Sequence, residues 1–365
     1  MSADIEMVTK TLVFPGGTTE AERYRQEASA RGDLLVGASS VRDDCARSHY
    51  DEWLFLPSVH KKEFLKSFLE GVKFFKINDI YCSHSILYDA LTDILQNENL
   101  NVQLLNEAPA DAENARMLDI LDRAKNIHAM ILSIASPGSR VFLNEIEIAS
   151  VIMFCKFITG QSSDEKLAAM LALYLDMPEG DIVEIGAFWG RSTFLLTWAA
   201  QRYGIGKVLA VDPWQAKYSR QNDSPDLVQR DTLRQDWDTI CKGFQVALSI
   251  FGPSKVNFLR ASSDEAIHTY IDCGEVSNDS YGATQFTKKI ALIHIDGNHD
   301  YESVVIDRDT WCPYVQAGGW IVFDDYVWEH GDGPKKAADE FLMKNIKSID
   351  RTFVCGKALF IKMKI

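Results

Sequence analysis

Two short segments concentrate the side chains most able to do chemistry. Ile293-His294-Ile295-Asp296-Gly297-Asn298-His299-Asp300-Tyr301 reads as a strand that ends in an acid, turns on a glycine and enters a helix. Trp320-Ile321-Val322-Phe323-Asp324-Asp325 reads as another strand with two acids at its tip. Neighbouring parallel strands lie about 4.8 Å apart, so Asp296, Asp324 and Asp325 can converge. Three uncompensated carboxylates repel one another, and a divalent cation would relieve that. All-oxygen ligands favour Mg²⁺, with Mn²⁺ or Ca²⁺ as alternatives. Such an ion would bind a substrate hydroxyl and lower its pKa, and His299 is then the candidate general base. The competing reading makes Asp324, Asp325 and His299 simple turn and helix caps. His294 falls on the strand face and reads as a packed core histidine.

A second constellation lies about 110 residues upstream. Asp181-Ile182-Val183-Glu184-Ile185 is an apolar strand with one acid near its end; Gly186 and Gly190 bracket the turn, and Ser192-Thr193 opens a helix. Small residues let the backbone approach a ligand, and the helix start offers N–H groups to a carboxylate. Glu184 is placed for a ligand ammonium. Phe188 stands where dinucleotide folds want a middle glycine, so the dinucleotide fingerprint fails. Asp212 ends the next strand, where a carboxylate can accept from two ribose hydroxyls. Ser262 and Ser263 follow the third strand and can reach an adenine. Capping is the rival role for Asp212 and for Ser263. Order and spacing together point to a cofactor of nucleoside type.

These segments need strands side by side, and the chain supplies them. From Asp181 onward, strands at 181–185, 207–211, 256–259, 290–295 and 319–323 alternate with helices at 191–203, 227–249, 264–271, 301–311 and 334–345, before a final pair near 352–364. The expected fold is α/β: a seven-stranded doubly wound, Rossmann-like sheet over residues 179–365. A shorter strand–helix series over 1–108 predicts a smaller N-terminal α/β domain with a parallel sheet. Residues 109–178 read as a helical connector, broken at Ser136-Pro137-Gly138 and again at 159–163. Residues 213–226, with Trp214, Tyr218 and Ser224-Pro225, are placed to form a lid, and 274–289 has loop composition.

At 365 residues, two domains are the natural expectation. Fifty-two acidic against 38 basic residues argue against a nucleic-acid partner. Seven scattered cysteines without a Cys-x-x-Cys pair read as reduced thiols. The most apolar stretch, 141–160, is interrupted by Glu145, Glu147 and Lys156, so no membrane span is expected. Together with an N-terminus lacking an apolar signal core, these features place the protein in the cytoplasm. The expected partner is a small molecule bearing a hydroxyl; a homo-oligomer is compatible with the N-terminal domain.

The motifs Glu184-Ile185-Gly186-Ala187-x-x-Gly190-Arg191-Ser192-Thr193, Ile295-Asp296-Gly297-x-His299-x-Tyr301 and Gly318-Gly319-x-Ile321-x-Phe323-Asp324-Asp325-Tyr326 resemble class I S-adenosylmethionine-dependent methyltransferases. The nearest branch holds the metal-dependent macrolide-sugar O-methyltransferases and the group called cephalosporin hydroxylase-like. Gly333-Pro334-Lys335-Lys336-Ala337-Ala338-Asp339-Glu340-Phe341 is similar to that branch too, and the resemblance spans roughly 165–365. It implies S-adenosyl-L-methionine as cofactor, metal ligation by Asp296, Asp324 and Asp325, and a base at His299. It also implies ribose binding at Asp212 and adenine contacts near Ser262 and Ser263. Some relatives keep Asn where Asp325 stands, which makes this site one charge more negative. The N-terminal series, notably Val36-Gly37-Ala38-Ser39-Ser40 and Ile80-Tyr81-Cys82-Ser83-His84, is similar to domains preceding ATP-grasp modules, without such a module after it. The expected activity is methyl transfer to a hydroxyl of a sugar or secondary metabolite; the alternative is a non-catalytic binding or scaffold protein.

Overall fold

The computed structural model describes residues 10–136, 140–221, 226–252 and 254–365. Pro137, Gly138, Ser224 and Pro225 lie outside the described residues. The chain divides into two compact units, Met1–Asp119 and Ile120–Ile365. Among the described residues no helix is long and apolar enough to cross a membrane.

The first unit alternates β1 (Lys10–Val13), α1 (Thr19–Arg31), β2 (Leu34–Ser39), β3 (Glu52–Phe55), α2 (Glu63–Phe75), β4 (Ile77–Tyr81), α3 (Ser85–Asn97) and β5 (Gln103–Leu104). Its five strands are parallel in the order β3-β2-β1-β4-β5. The glycine turn before α1 ends in a cap: Thr18 Oγ1 accepts from the Ala21 amide at 3.1 Å. The turn thus has a structural cause within its own helix.

α4 (Pro109–Ile134) leads to α5 (Glu145–Phe157), α6 (Asp164–Leu173), β6 (Asp181–Ile185), α7 (Arg191–Tyr203), β7 (Val208–Val211), α8 (Ala216–Ser219), α9 (Asp226–Arg234) and α10 (Trp237–Leu248). Then come β8 (Val256–Leu259), α11 (Ser263–His268), the antiparallel hairpin β9 (Glu275–Asn278) and β10 (Gly282–Gln285), β11 (Ile290–Ile295), α12 (Tyr301–Trp311), β12 (Val315–Phe323), α13 (Gly333–Asn345), β13 (Ile349–Cys355) and β14 (Ala358–Met363). The sheet order is β13-β14-β12-β11-β6-β7-β8, parallel except where β14 runs against β12 and β13. This is the expected doubly wound, seven-stranded α/β fold with a smaller α/β unit before it.

Two local expectations change. The helix expected over 227–249 is two, because Asp236 accepts from the Thr239 amide at 3.1 Å and starts α10 afresh. Residues 274–289 contain the β9–β10 hairpin rather than only loop, pinned by buried Asn257, which donates to Val276 O and Gly282 O. Turn-rich composition masked the alternation that buries Val276 and Thr284.

Strand parity decides which side chains can meet. Val183, Ile185, Leu209, Val211, Ile293, Ile295, Ile321 and Phe323 join one core, with α11–α13 residues. Ile182, Val208, Leu292, Trp320 and Val322 join the other, where α6 contributes Leu167 to Leu173. Glu184 and His294 are paired across β6 and β11 with this second parity.

The β6 turn is forced against the tip of β11. The Asp296 amide donates to Ile185 O at 2.8 Å, and Gly186 has φ +84°. A Cβ at Gly186 would collide with the Asp296 carbonyl, so only glycine permits the approach. Gly186→Ala is therefore expected to lower unfolding free energy by at least ~1–3 kcal/mol, read by chemical denaturation. An unchanged midpoint would contradict this packing.

Candidate active site

A cavity of about 960 Å³ opens at the carboxyl ends of β6, β7, β11 and β12, within the second unit. Gly186 and Ser192 line it, as do Asp212, Ser262 and Ser263 at the start of α11, and Asp296, His299, Asp324 and Asp325. This is where open α/β sheets place ligands. The predicted residues Glu184, Gly190 and Thr193 do not line it.

Glu184 departs most from expectation. It is fully buried; the Thr193 hydroxyl donates to one oxygen, and the other lies 2.9 Å from His294 Nδ1. It orients His294 rather than presenting a carboxylate to a ligand ammonium. The strand register explains this, because His294 lies directly beside Glu184. Gly190, with φ +92°, serves the start of α7: a side chain there would strike Leu248 and Phe244.

Asp212 is also heavily committed. Its carboxylate accepts from the amides of Ala187 and Phe188, each at 3.0 Å, and of Trp214 at 2.6 Å. Burial nevertheless pushes its pKa up to about 6, with the amide donors opposing. A carboxylate has about four acceptor positions, so these three amides occupy most of them. Asp212 thereby sets the shape of the glycine turn. Part of the expected lid is anchored as well, since Asn298 Nδ2 donates to Tyr218 O and Arg220 O at 2.8 Å.

On the reacting side the carboxylates converge, but with a partner that sequence reasoning missed. Lys166, on α6, is 3% exposed. Its ammonium donates to Asp324 Oδ2 in a very close ion pair and lies 3.3 Å from Asp296 Oδ2. Burial alone would discharge this lysine, yet Asp296 and Asp324 outweigh it and raise its pKa. Burial also pushes Asp324 upward, but Lys166 and His294 hold it well below the usual carboxylate range. Asp296 goes the other way: burial first, then the charge on Asp324, raise it well above its ordinary value. Asp325 is pushed up to about 6 by burial and then by Asp324.

His299 lies beside this group, its Nε2 3.3 Å from Asp325 Oδ2 and its ring edge-on to Trp328 at 5.0 Å. Asp325 adopts φ +46°, a left-handed conformation that is strained for a residue with a side chain. Buried His294 turns Nε2 toward Asp296 and Asp324 at 3.8 and 3.9 Å, without a hydrogen-bond partner for that nitrogen.

The expected ligand set of Asp296, Asp324 and Asp325 needs revision on this geometry. Among the described residues, the compact donor groups are His294–Asp296–Asp324 and Asp296–His299–Asp325. An ammonium lies against the carboxylates of the first. The second would use the proposed base as a ligand. With Lys166 in place, the three-carboxylate set does not fit a divalent ion. The available signal was a lysine that follows Asp164-Glu165 and directly precedes the apolar run Leu167-Ala168-Ala169-Met170-Leu171 of the same helix. Such a cation must find buried partners.

Asp307 was missed too. It lines the cavity, accepts from the Ser263 hydroxyl, and has its pKa pushed up to about 7 by burial. Ser263 therefore holds an α12 acid as well as starting α11. Because the folded-state pKa lies above the unfolded one, this group's contribution falls as pH rises from about 4 to 7. Asp307→Asn should flatten that fall by an amount on the order of a few kcal/mol. Urea denaturation of both proteins at pH 5 and pH 8 checks it; parallel slopes would refute the assignment.

Residues 183–326 match a family model described as a methyltransferase domain. The chain is 28% identical over 144 residues to the uncharacterized protein R132 of Acanthamoeba polyphaga mimivirus, covering 40% of this chain and 50% of that protein. It thus spans about half the length of this curated relative. Among solved structures, the O-methyltransferase NovP matches at 16% identity, covering 68% of this chain and 100% of its own, with a TM-score of 0.44. CalS11, a TDP-rhamnose 3'-O-methyltransferase in calicheamicin biosynthesis, matches at 14%, covering 71% and 96%, with a TM-score of 0.38.

Proposed function

With a methyltransferase domain over residues 183–326 as premise, we propose that the chain transfers the methyl group of S-adenosylmethionine to a hydroxyl of a small molecule. The observation that carries this reading is that the glycine turn packs against Asp296 and lines one cavity together with the Asp296–His299–Asp325 group. The first supports a methyl donor and the second can accept a hydroxyl proton.

In this reading the amides at the start of α7 face the cofactor carboxylate, and the remaining acceptor position of Asp212 takes a ribose hydroxyl. Ser262, at the mouth of α11, lies on the adenine side. The acceptor oxygen attacks the methyl carbon as the carbon–sulfur bond breaks, leaving a neutral thioether. The hydroxyl proton passes to His299, and Asp325 beside it stabilises the imidazolium that forms. No step is routed through a metal, because Lys166 holds the acids that would bind it. A sugar or secondary metabolite beside the cofactor suits a cavity of about 960 Å³, at the upper end of the range for small-molecule sites. The acidic chain favours a neutral or cationic acceptor.

Calorimetric titration with S-adenosylhomocysteine is expected to give saturable binding, and NAD none. Absence of homocysteine-adduct binding would sink the proposal. Once an acceptor is in hand, His299→Ala should lower kcat by ~10²–10⁴-fold while leaving adduct affinity nearly unchanged. Equal turnover by parent and variant across pH would remove His299 from its role.

A further inference from the structure

We propose that Lys166 is a built-in cation that occupies the place of a divalent metal, so that the acid cluster works without one. The inference deepens the proposed function and rests on it for the meaning of the cluster, though not for its geometry.

Lys166 is not a surface lysine that happens to fold inward. It sits in the first turn of α6, where Ser163 Oγ accepts from its amide at 3.3 Å. That end of a helix disfavours a cation, and removing an ammonium from water costs several kcal/mol unless partners replace the hydration. The ion pairs with Asp296 and Asp324 replace it.

The lysine is also held in place from two sides. Arg123 makes a two-bonded pair with Asp164 at 2.7 and 3.0 Å, which fixes the start of α6. Gly356, in the β13–β14 turn with φ +54°, packs so closely on the Lys166 backbone that any side chain there would overlap it. A mobile lysine could yield to a metal by swinging into solvent. This one starts from a clamped backbone and would have to give up its ion pairs with Asp296 and Asp324.

The charge arrangement completes the case. A metal would need Asp324 as a ligand in the expected set, yet Asp324 is the acid Lys166 approaches most closely. One positive charge compensates fewer carboxylates than two would. The acids left short, Asp296 and Asp325, are the ones that reach His299. His294, held by Glu184, turns its Nε2 toward Asp296 and Asp324, the two acids that Lys166 pairs, from the side of the sheet.

The test uses the full chain, stripped with chelator, without and with S-adenosylhomocysteine, and Mn²⁺ as the probe, read by electron paramagnetic resonance. The parent is expected to show no site for Mn²⁺ at micromolar concentration. Lys166→Met and Lys166→Ala, which empty the position and leave the acids uncompensated, should bind Mn²⁺ more tightly by roughly tenfold or more. Their melting temperature should rise with the metal. Should a variant be unfolded, Mn²⁺ is expected to restore it, and failure of rescue overturns the proposal. Micromolar binding by the parent that the substitutions leave unchanged overturns it, as does absence of binding in folded variants. Adduct affinity, measured in the same samples, reports on the methyltransferase reading separately, so the two can fail independently.

Discussion

Carboxylates cannot be gathered in a dry place without something positive among them. In this chain the buried ammonium of Lys166 is that group, and the site is organised around it. From it a line of polar contacts runs through Asp296 and Asp324 to His294, then Glu184 and Thr193, all on one face of the sheet. The line joins α6 to three parts of the second unit: the tips of β11 and β12, the strand β6 and the first turn of α7. Polar groups in such a place are costly singly and stabilising together. This explains why Glu184 and Thr193, which flank the glycine turn, are turned inward and away from the cavity.

The second constraint is steric. Gly186 brings the β6 turn against the backbone of Asp296, and Asp212 fixes the next residues of that turn by accepting from Ala187 and Phe188. Donor side and acceptor side are therefore parts of one backbone arrangement. A methyl group carried at the turn would be near the acids as a consequence of hydrogen bonds rather than of any closing motion.

Strand order was legible because the apolar runs Ile182-Val183, Val208–Val211, Ile290–Ile295 and Trp320–Phe323 are bounded by glycine or acids, and each appears as a strand of the sheet. The convergence of Asp296 and Asp324 followed from taking the fourth and fifth of those strands as parallel neighbours, as β11 and β12 are. What remained hidden depends on contacts distant in sequence. Lys166 lies 130 residues before Asp296, within the stretch that reads as a helical connector. Glu184 has the same type and position whether it faces a ligand or a histidine; only the register with His294 decides. The Ser263–Asp307 bond joins two helices whose facing sides no periodicity specifies. Hydrophobic patterning sets which face of an element is buried, whereas pairings among buried polar groups are set by the packing of whole layers.

The account's central claim is that the glycine turn and the acid–histidine group serve one reaction. A crystal structure of the complex with S-adenosylhomocysteine tests it most directly. The claim predicts the homocysteine carboxylate at the start of α7, a ribose hydroxyl on Asp212 and the sulfur facing the space between Asp296 and His299. An adduct bound with its sulfur directed away from those residues, or bound outside this cavity, would contradict it.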